Sequence, residues 1–396
     1  MTRRAMPVVL CLLMVIATTV SAQDTDRTLR AYRDRFRDAS VEGKLQILRT
    51  ADQLTPAQLG PLYNQALQFV LTSVADLPTN TALQEIASIS VEGIDEGGYS
   101  AAANTLWSLF REHGDNTSRI RVLNTLANVA TGNRQVVVDI NAWLQTQTSL
   151  WRGGTAPDLQ VLRAAIQAVA ALGDPSSFPV LLDIQLAQIS AAISAEARAA
   201  MLGLDLDYKS AAIQTINARP VADRLPALDY VLSDGDLSMQ DRAEIATAVL
   251  AATTREAVRA PTDVEAQRQV RYRATATLVE EPYPAASAAL IRHFNATFAD
   301  YDRGMTTRTW VLEAIAALGN TGTVDAARRL ATFLDLLNNY TENDRPYDTQ
   351  IMLAVITNLG RLGHFEAYDA LFYVTLLNYP TRVRDAAREA IDAVRR

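Results

Sequence analysis

The stretch Val161-Leu162-Arg163-Ala164-Ala165-Ile166-Gln167-Ala168-Val169-Ala170-Ala171-Leu172-Gly173-Asp174-Pro175 decides the fold class. Ala165, Ala168, Val169 and Leu172 fall at i, i+3, i+4 and i+7, the buried stripe of an amphipathic helix. Gly173 then offers a left-handed cap without a Cβ penalty, and Asp174-Pro175 suits the start of a second helix.

The same stripe recurs along the chain. Leu83, Ile86 and Ala87 lead to Ser90, and Leu123, Leu126 and Ala127 lead to Ala130. Val311, Ala314 and Ile315 lead to Leu318, and Met352, Val355 and Ile356 lead to Leu359. Ala274 with Leu278 and Ile47-Leu48 with Ala51 are weaker copies. The end points step by 39, 40 and 42 residues from Ala51 to Leu172, and by 40 and 41 from Leu278 to Leu359. A period near 40 belongs to stacked helix pairs. Leu172-Gly173, Leu318-Gly319 and Leu359-Gly360 place a glycine at the expected end of three first helices, with second helices following from Phe178 and Val324.

Two units, 161–175 and Leu312-Glu313-Ala314-Ile315-Ala316-Ala317-Leu318-Gly319, resemble HEAT repeats of the short bacterial type. The resemblance implies an all-α chain, an α-solenoid of about nine antiparallel helix pairs. It implies no catalytic residues, because such arrays are diverse in role. The expected organisation is a signal peptide over 1–22, a capping helix over 23–39 and a HEAT-like array over 40–396. The register fails over 205–262, where Pro220, Pro226, Pro261 and Asp234-Gly235-Asp236 fall. In the capping helix Leu29, Tyr32 and Phe36 share a stripe among alternating charges; Val383, Ala387, Ile391 and Val394 form the last stripe, before Arg395 and Arg396.

The first residues read as an address. Arg3 and Arg4 precede an apolar run from Val8 to Ala17 and small residues ending at Ala22. That is a Sec-type signal peptide, too short to span a bilayer, with cleavage after Ala22. Thr2-Arg3-Arg4 also fits the twin-arginine route, and Cys11 a lipid anchor, although Leu10 stands where a small residue is needed. Cleavage removes the one Cys, so the mature chain has no disulfide and no thiol nucleophile. A bacterial periplasmic location follows as the expectation, with no transmembrane span left. The 37 basic residues less Arg3 and Arg4, set against 44 acidic ones, give a mature net charge of −9. Such a charge argues against nucleic acid as a partner. About half the chain is apolar, Ala is close to one residue in six, and there are 17 Gly and 14 Pro; disordered, collagen-like and disulfide-scaffold chains are excluded, and an all-β chain, which needs many Gly- and Pro-bearing turns, is disfavoured.

Motifs for chemistry are sparse. His113, His293 and His364 stand alone, and no HExxH, GxSxG, P-loop or dinucleotide fingerprint occurs. Asp234-Gly235-Asp236 opens like a calcium loop, but Met239 stands where Gly is needed and Ile245 where Glu is needed; Asp236 and Ser238 read instead as helix caps. Arg255, Arg259, Arg268, Arg271 and Arg273, interleaved with Glu256, Asp263 and Glu265, read as a solvated, ion-paired helix face. The four Trp residues (107, 143, 151, 310) read as inter-repeat packing. No catalytic, cofactor or metal residue is assigned, and the expected protein is not an enzyme.

The least bland feature is aromatic. Tyr340, Tyr347, Tyr368, Tyr373 and Tyr379 crowd forty residues with His364, Phe365 and Phe372. Tyr340, Tyr347, His364, Phe365 and Tyr368 are the candidate partner-binding residues, while Phe372, beside Leu371, reads as core. The expected function is a periplasmic scaffold that binds a protein partner of the cell envelope. The alternative is an envelope polysaccharide-binding or -cleaving protein built as a closed helical toroid.

Overall fold

The computed structural model describes residues 24–394. The expected signal peptide, Gln23, Arg395 and Arg396 lie outside the described residues. Those described are mostly helical, and none lies in a strand. The fold is an all-α solenoid of helices packed in adjacent pairs. Contacts divide it into a unit up to Leu206 and a unit from Asp207, a division that falls inside the 205–262 segment.

The first unit holds α1 (24–38), α2 (Val41–Arg49), α3 (Pro56–Thr72), α4 (Thr81–Gly97) and α5 (Ala103–Glu112). It continues with α6 (Asn116–Val129), α7 (Arg134–Arg152), α8 (Leu159–Leu172), α9 (Phe178–Ala187) and α10 (Ala191–Gly203). The even helices α2, α4, α6, α8 and α10 pack side by side in one row; α3, α5, α7 and α9 form the other. Ring contact between Phe36 and Phe69, with centroids 6.2 Å apart, joins α1 to the second row.

The second unit holds α11 (Tyr208–Ala218), α12 (Arg224–Leu232), α13 (Met239–Arg255), α14 (Pro261–Glu280) and α15 (Ser287–Asp302). It ends with α16 (Arg308–Asn320), α17 (Val324–Glu342), α18 (Thr349–Leu362), α19 (Tyr368–Leu376) and α20 (Thr381–Val394). Here too the even helices α12 to α20 form one row and the odd helices α11 to α19 the other. Among the described residues the twenty helices make ten pairs, one more than the periodicity suggested.

The core of each unit lies between its rows. The recurring stripes are the inner faces of even helices: Leu83 and Ile86 on α4, Leu123 and Leu126 on α6, Val311 and Ile315 on α16, and Val355 and Leu359 on α18 are buried. Each such side chain contributes about 1.5–3 kcal/mol on leaving water. Segment 205–262 holds the same architecture, with α11 and α12 cut to 11 and 9 residues. The stripe Ala197 to Leu204 belongs to α10 in an even row, whereas Ala243 to Leu250 belongs to α13 in an odd row. The even-row member of that stretch is the nine-residue α12, whose Ala227, Leu228 and Val231 are buried. Pro226 sits in the first turn of α12, and Pro261 is the first residue of α14, where a missing N–H is tolerated.

Two of the three glycine turns are corrected. Gly173 does cap α8 in the left-handed region, at φ 66°. Gly319 and Gly360 lie within α16 and α18, and the left-handed glycines come three residues later, at Gly322 and Gly363. A Cβ on Gly319 would overlap the Asn358 side chain, and one on Gly360 would lie 3.0 Å from Ala390. These glycines let neighbouring helices of one row approach.

The arginine-rich face is also corrected. Arg271 is 5% exposed, and it and Arg268 both reach Asp300, each at 3.2 Å. His293 is fully buried beside them, its ring 5.9 Å from that of Tyr272. Burial, reinforced by the Arg271 charge, pushes its pKa down to about 3. The tryptophans pack between helices of a row: Trp151 Nε1 donates to Ala187 O at 3.0 Å, and Trp310 stacks on Tyr272. Ser238 caps α13; the Asp236 amide donates to Asp234 Oδ1 at 3.0 Å, which makes a turn and not a helix cap.

Candidate functional site

The five candidate residues fall at two places in the second unit. Tyr340 and Tyr347 line an open cleft of about 350 Å³ with Phe298, Tyr301, Asp302 and Asp348. The walls come from the ends of α15 and α17 and the start of α18. Tyr347 stands edge-on to Tyr379, with centroids 5.2 Å apart and planes at 82°. Tyr379 is core, its hydroxyl donating to Leu337 O at 3.2 Å, and burial pushes its pKa up to about 12. Burial likewise raises Tyr347. Asp348 caps α18 through the amides of Gln350 and Ile351 and accepts from Arg308 at 3.1 Å. Burial opposes its ionisation, but these donors outweigh it and hold the carboxyl below its usual range.

His364, Phe365 and Tyr368 lie at the corner between α18 and α19. His364 Nε2 is 3.0 Å from Gly322 O, so this ring ties the corner to the turn after α16. Phe365 and Tyr368 stack 5.5 Å apart and 9° from parallel; Tyr368 and Phe372 stack 6.0 Å apart at 7°. The ladder is open to solvent: Phe365 is 70% exposed and Phe372 45%, and Leu376 extends it at 64%. Phe372 is therefore surface, contrary to the expectation from its neighbour Leu371, which is buried. At about 100° per residue these two point in directions about 100° apart, enough to bury one and expose the other, and Phe372 and Leu376 share one side. That phase could have been read from the sequence.

The ladder has a definite place on α19. Tyr373 donates to Glu342 of α17, which marks the flank of α19 that meets its row neighbour. Around the helix from Tyr373, Tyr368 sits about 140° away, Phe372 about 100° and Leu376 about 60°, so the ladder runs from the other flank onto the outer, exposed side of α19. Since α19 is the last odd-row helix among the described residues, no helix of its row covers that flank.

Carboxylates border the ladder. Asp335 on α17, and Glu366 and Asp369 at the start of α19, have no cation within ion-pair distance among the described residues. Burial, and then the charge of Asp369, raise the pKa of Asp335. Both lysines, by contrast, are engaged. The Lys44 amine donates to Arg37 O at 3.2 Å and to Ala39 O, and Lys209 pairs with Asp241 at 2.9 Å and with Glu244. Among the described residues no group of three His, Cys, Asp or Glu is placed to hold a metal ion. No described helix is long and apolar enough to cross a membrane.

No family model matches the chain, and no curated protein matches it. Among solved structures, human deoxyhypusine hydroxylase in complex with glycerol is similar over 85% of this chain and 99% of its own, at 16% identity and a TM-score of 0.29. The expectation of a non-enzyme is corrected by this finding, because the matched protein is named as an enzyme. A likeness at that identity and TM-score brings no substrate, metal or residue role to this chain.

Proposed function

We propose that this chain is an exported, HEAT-like periplasmic scaffold that binds a protein partner of the cell envelope on the outer face of α17 and α19. The observation that carries the reading is the exposed ladder Phe365–Tyr368–Phe372 with Leu376. Contiguous apolar surface bordered by polar groups marks interaction sites, and rigid aromatic side chains supply most of the energy in such contacts. The amino-terminal address supports export.

Lysine-directed cross-linkers suit this protein poorly, since Lys44 and Lys209 are both held. A photoreactive benzoylphenylalanine in place of Phe372 is the better probe, with Val138 of α7, which is also exposed, as the control position. Cells irradiated with the first should give a protein adduct absent from the second. Equal adducts, or none at Phe372, would overturn the reading.

A second reading rests on the cleft. Phe298, Tyr301, Tyr340 and Tyr347 with Asp302 and Asp348 combine ring faces for sugar C–H groups with acceptors for hydroxyls. In that reading the cleft binds an envelope glycan. Titration calorimetry with soluble cell-wall fragments should show binding that Tyr347→Ala removes; absence of heat in the parent chain would exclude it.

A further inference from the structure

The α19 face combines two features that constrain what covers it. Its exposed surface carries the stacked Phe365, Tyr368 and Phe372 rings, followed by Leu376. The outer side carries Glu366 and Asp369, with Asp335 of α17 alongside, and no described cation neutralises these three. Asp335 and Asp369 already repel one another, which is part of why the Asp335 carboxyl is raised.

A second copy of the chain is a poor occupant. A two-fold contact through this face would set Glu366 and Asp369 of one copy near those of the other, and like charges brought together oppose association. A neutral apolar segment would cover the rings but leave the carboxylates beside a desolvated surface without partners. A segment with an apolar stripe and flanking Lys or Arg satisfies both features: its stripe covers the rings and its cations meet the three carboxylates. Tyr368, Phe372 and Leu376 fall at i, i+4 and i+8 along α19, a stripe of the kind a second helix packs against, so a helix is the form that fits.

We infer that the α19 face docks a basic amphipathic helix supplied by the partner, laid along the ladder on the outer side of α17 and α19. This rests on the protein-binding reading above and names the chemistry of the partner. Apolar burial along the ladder supplies the affinity; the carboxylates select basic over acidic helices and speed the encounter.

The test uses the full chain and two labelled helical peptides of equal length, one of Leu and Lys and one of Leu and Glu in the same amphipathic pattern. The Leu/Lys peptide should bind, and the Leu/Glu peptide should not. Phe365→Ser with Phe372→Ser should weaken Leu/Lys binding about tenfold or more. Asp335→Asn, Glu366→Gln and Asp369→Asn together should weaken it about fivefold and flatten its salt dependence. A control carrying Glu42→Gln, Glu112→Gln and Asp139→Asn in the first unit should bind like the parent, which separates this face from the general acidity of the chain. Equal binding of the two peptides, no binding of either, or an unchanged affinity in the carboxylate variant would overturn the inference. So would concentration-dependent self-association abolished by Phe372→Ser, which would identify a second copy as the occupant. A photo-adduct at Phe372 together with failure here would remove only the basic-helix assignment; absence of any adduct would remove the scaffold reading itself.

Discussion

Gly319 of α16 packs directly against the side chain of Asn358 on α18, so closely that a methyl group on Gly319 would overlap it. The two helices share a row and approach through this point. Helix propensity alone would reward Gly319→Ala by about 1 kcal/mol. Overpacking costs more, and the variant should lose about 1–3 kcal/mol in urea unfolding. A gain in stability would show that the helices separate freely here.

Leu359 is fully buried on α18, whereas Leu172 at the end of α8 is half-buried. Leu359→Asp should cost about 4 kcal/mol or more, because it leaves a charge unpaired in the core. Leu172→Asp should cost clearly less, since its carboxylate can reach water. Thermal melts of the two variants check the order.

The two faces of α19 should respond oppositely. Phe372→Ser changes stability by less than about 0.5 kcal/mol, as exposed positions do, while Leu371→Ser costs about 3 kcal/mol. Equal losses on melting would mean that Phe372 is core and would remove the ladder from consideration as a surface.

Two groups, the buried His293 and the half-buried Glu313, give the second unit an unusual response to pH. His293 is held near pKa 3, below its ordinary 6.5, by burial and by Arg271. The unfolded chain therefore binds that proton first. Stability from this group is present above pH 6.5 and lost as pH falls towards 3, at about 1.4 kcal/mol per pH unit. Burial raises Glu313 from 4.5 to about 7. Its contribution has the opposite sign: it is present below pH 4.5 and lost as pH rises through 7. Between pH 4.5 and 6.5 the two slopes oppose one another. Glu313→Gln should thus make stability rise with pH more steeply than in the parent over that window, and His293→Gln should make it fall relative to the parent. Urea midpoints at pH 4.5, 5.5 and 6.5 provide the measurement, and curves parallel to the parent's would refute both assignments.

Periodicity located most of the even row because those helices bury one stripe and expose the rest, so i, i+3, i+4 and i+7 survive in the sequence. It missed α12, whose nine residues hold too little of a stripe to stand out between Pro220 and Asp234. Glycine gave a mixed signal. Gly173 is needed for its backbone angle, whereas Gly319 and Gly360 are needed for space, and a linear sequence does not separate those reasons. The candidate site was legible as an aromatic cluster. Its division into a cleft around Tyr340 and Tyr347 and a ladder from Phe365 to Phe372 was not, because it depends on which helix flank has a neighbour.

Local chemistry along the chain was enough to establish an all-helical repeat with a period near forty, the caps at Gly173, Asp174 and Ser238 and the place of the aromatic residues in the chain. These follow from stripe spacing and backbone preference, which act over a few turns. Packing decided the rest. It put Arg271 inside, paired with Asp300, and His293 beside it, where burial and then the Arg271 charge hold the ring neutral, and it turned Phe372 outward while Leu371 went in. It also left Asp335, Glu366 and Asp369 beside the exposed ladder. Whether a side chain meets water or a neighbour is settled by residues dozens of positions away, brought close by the stacking of the helices.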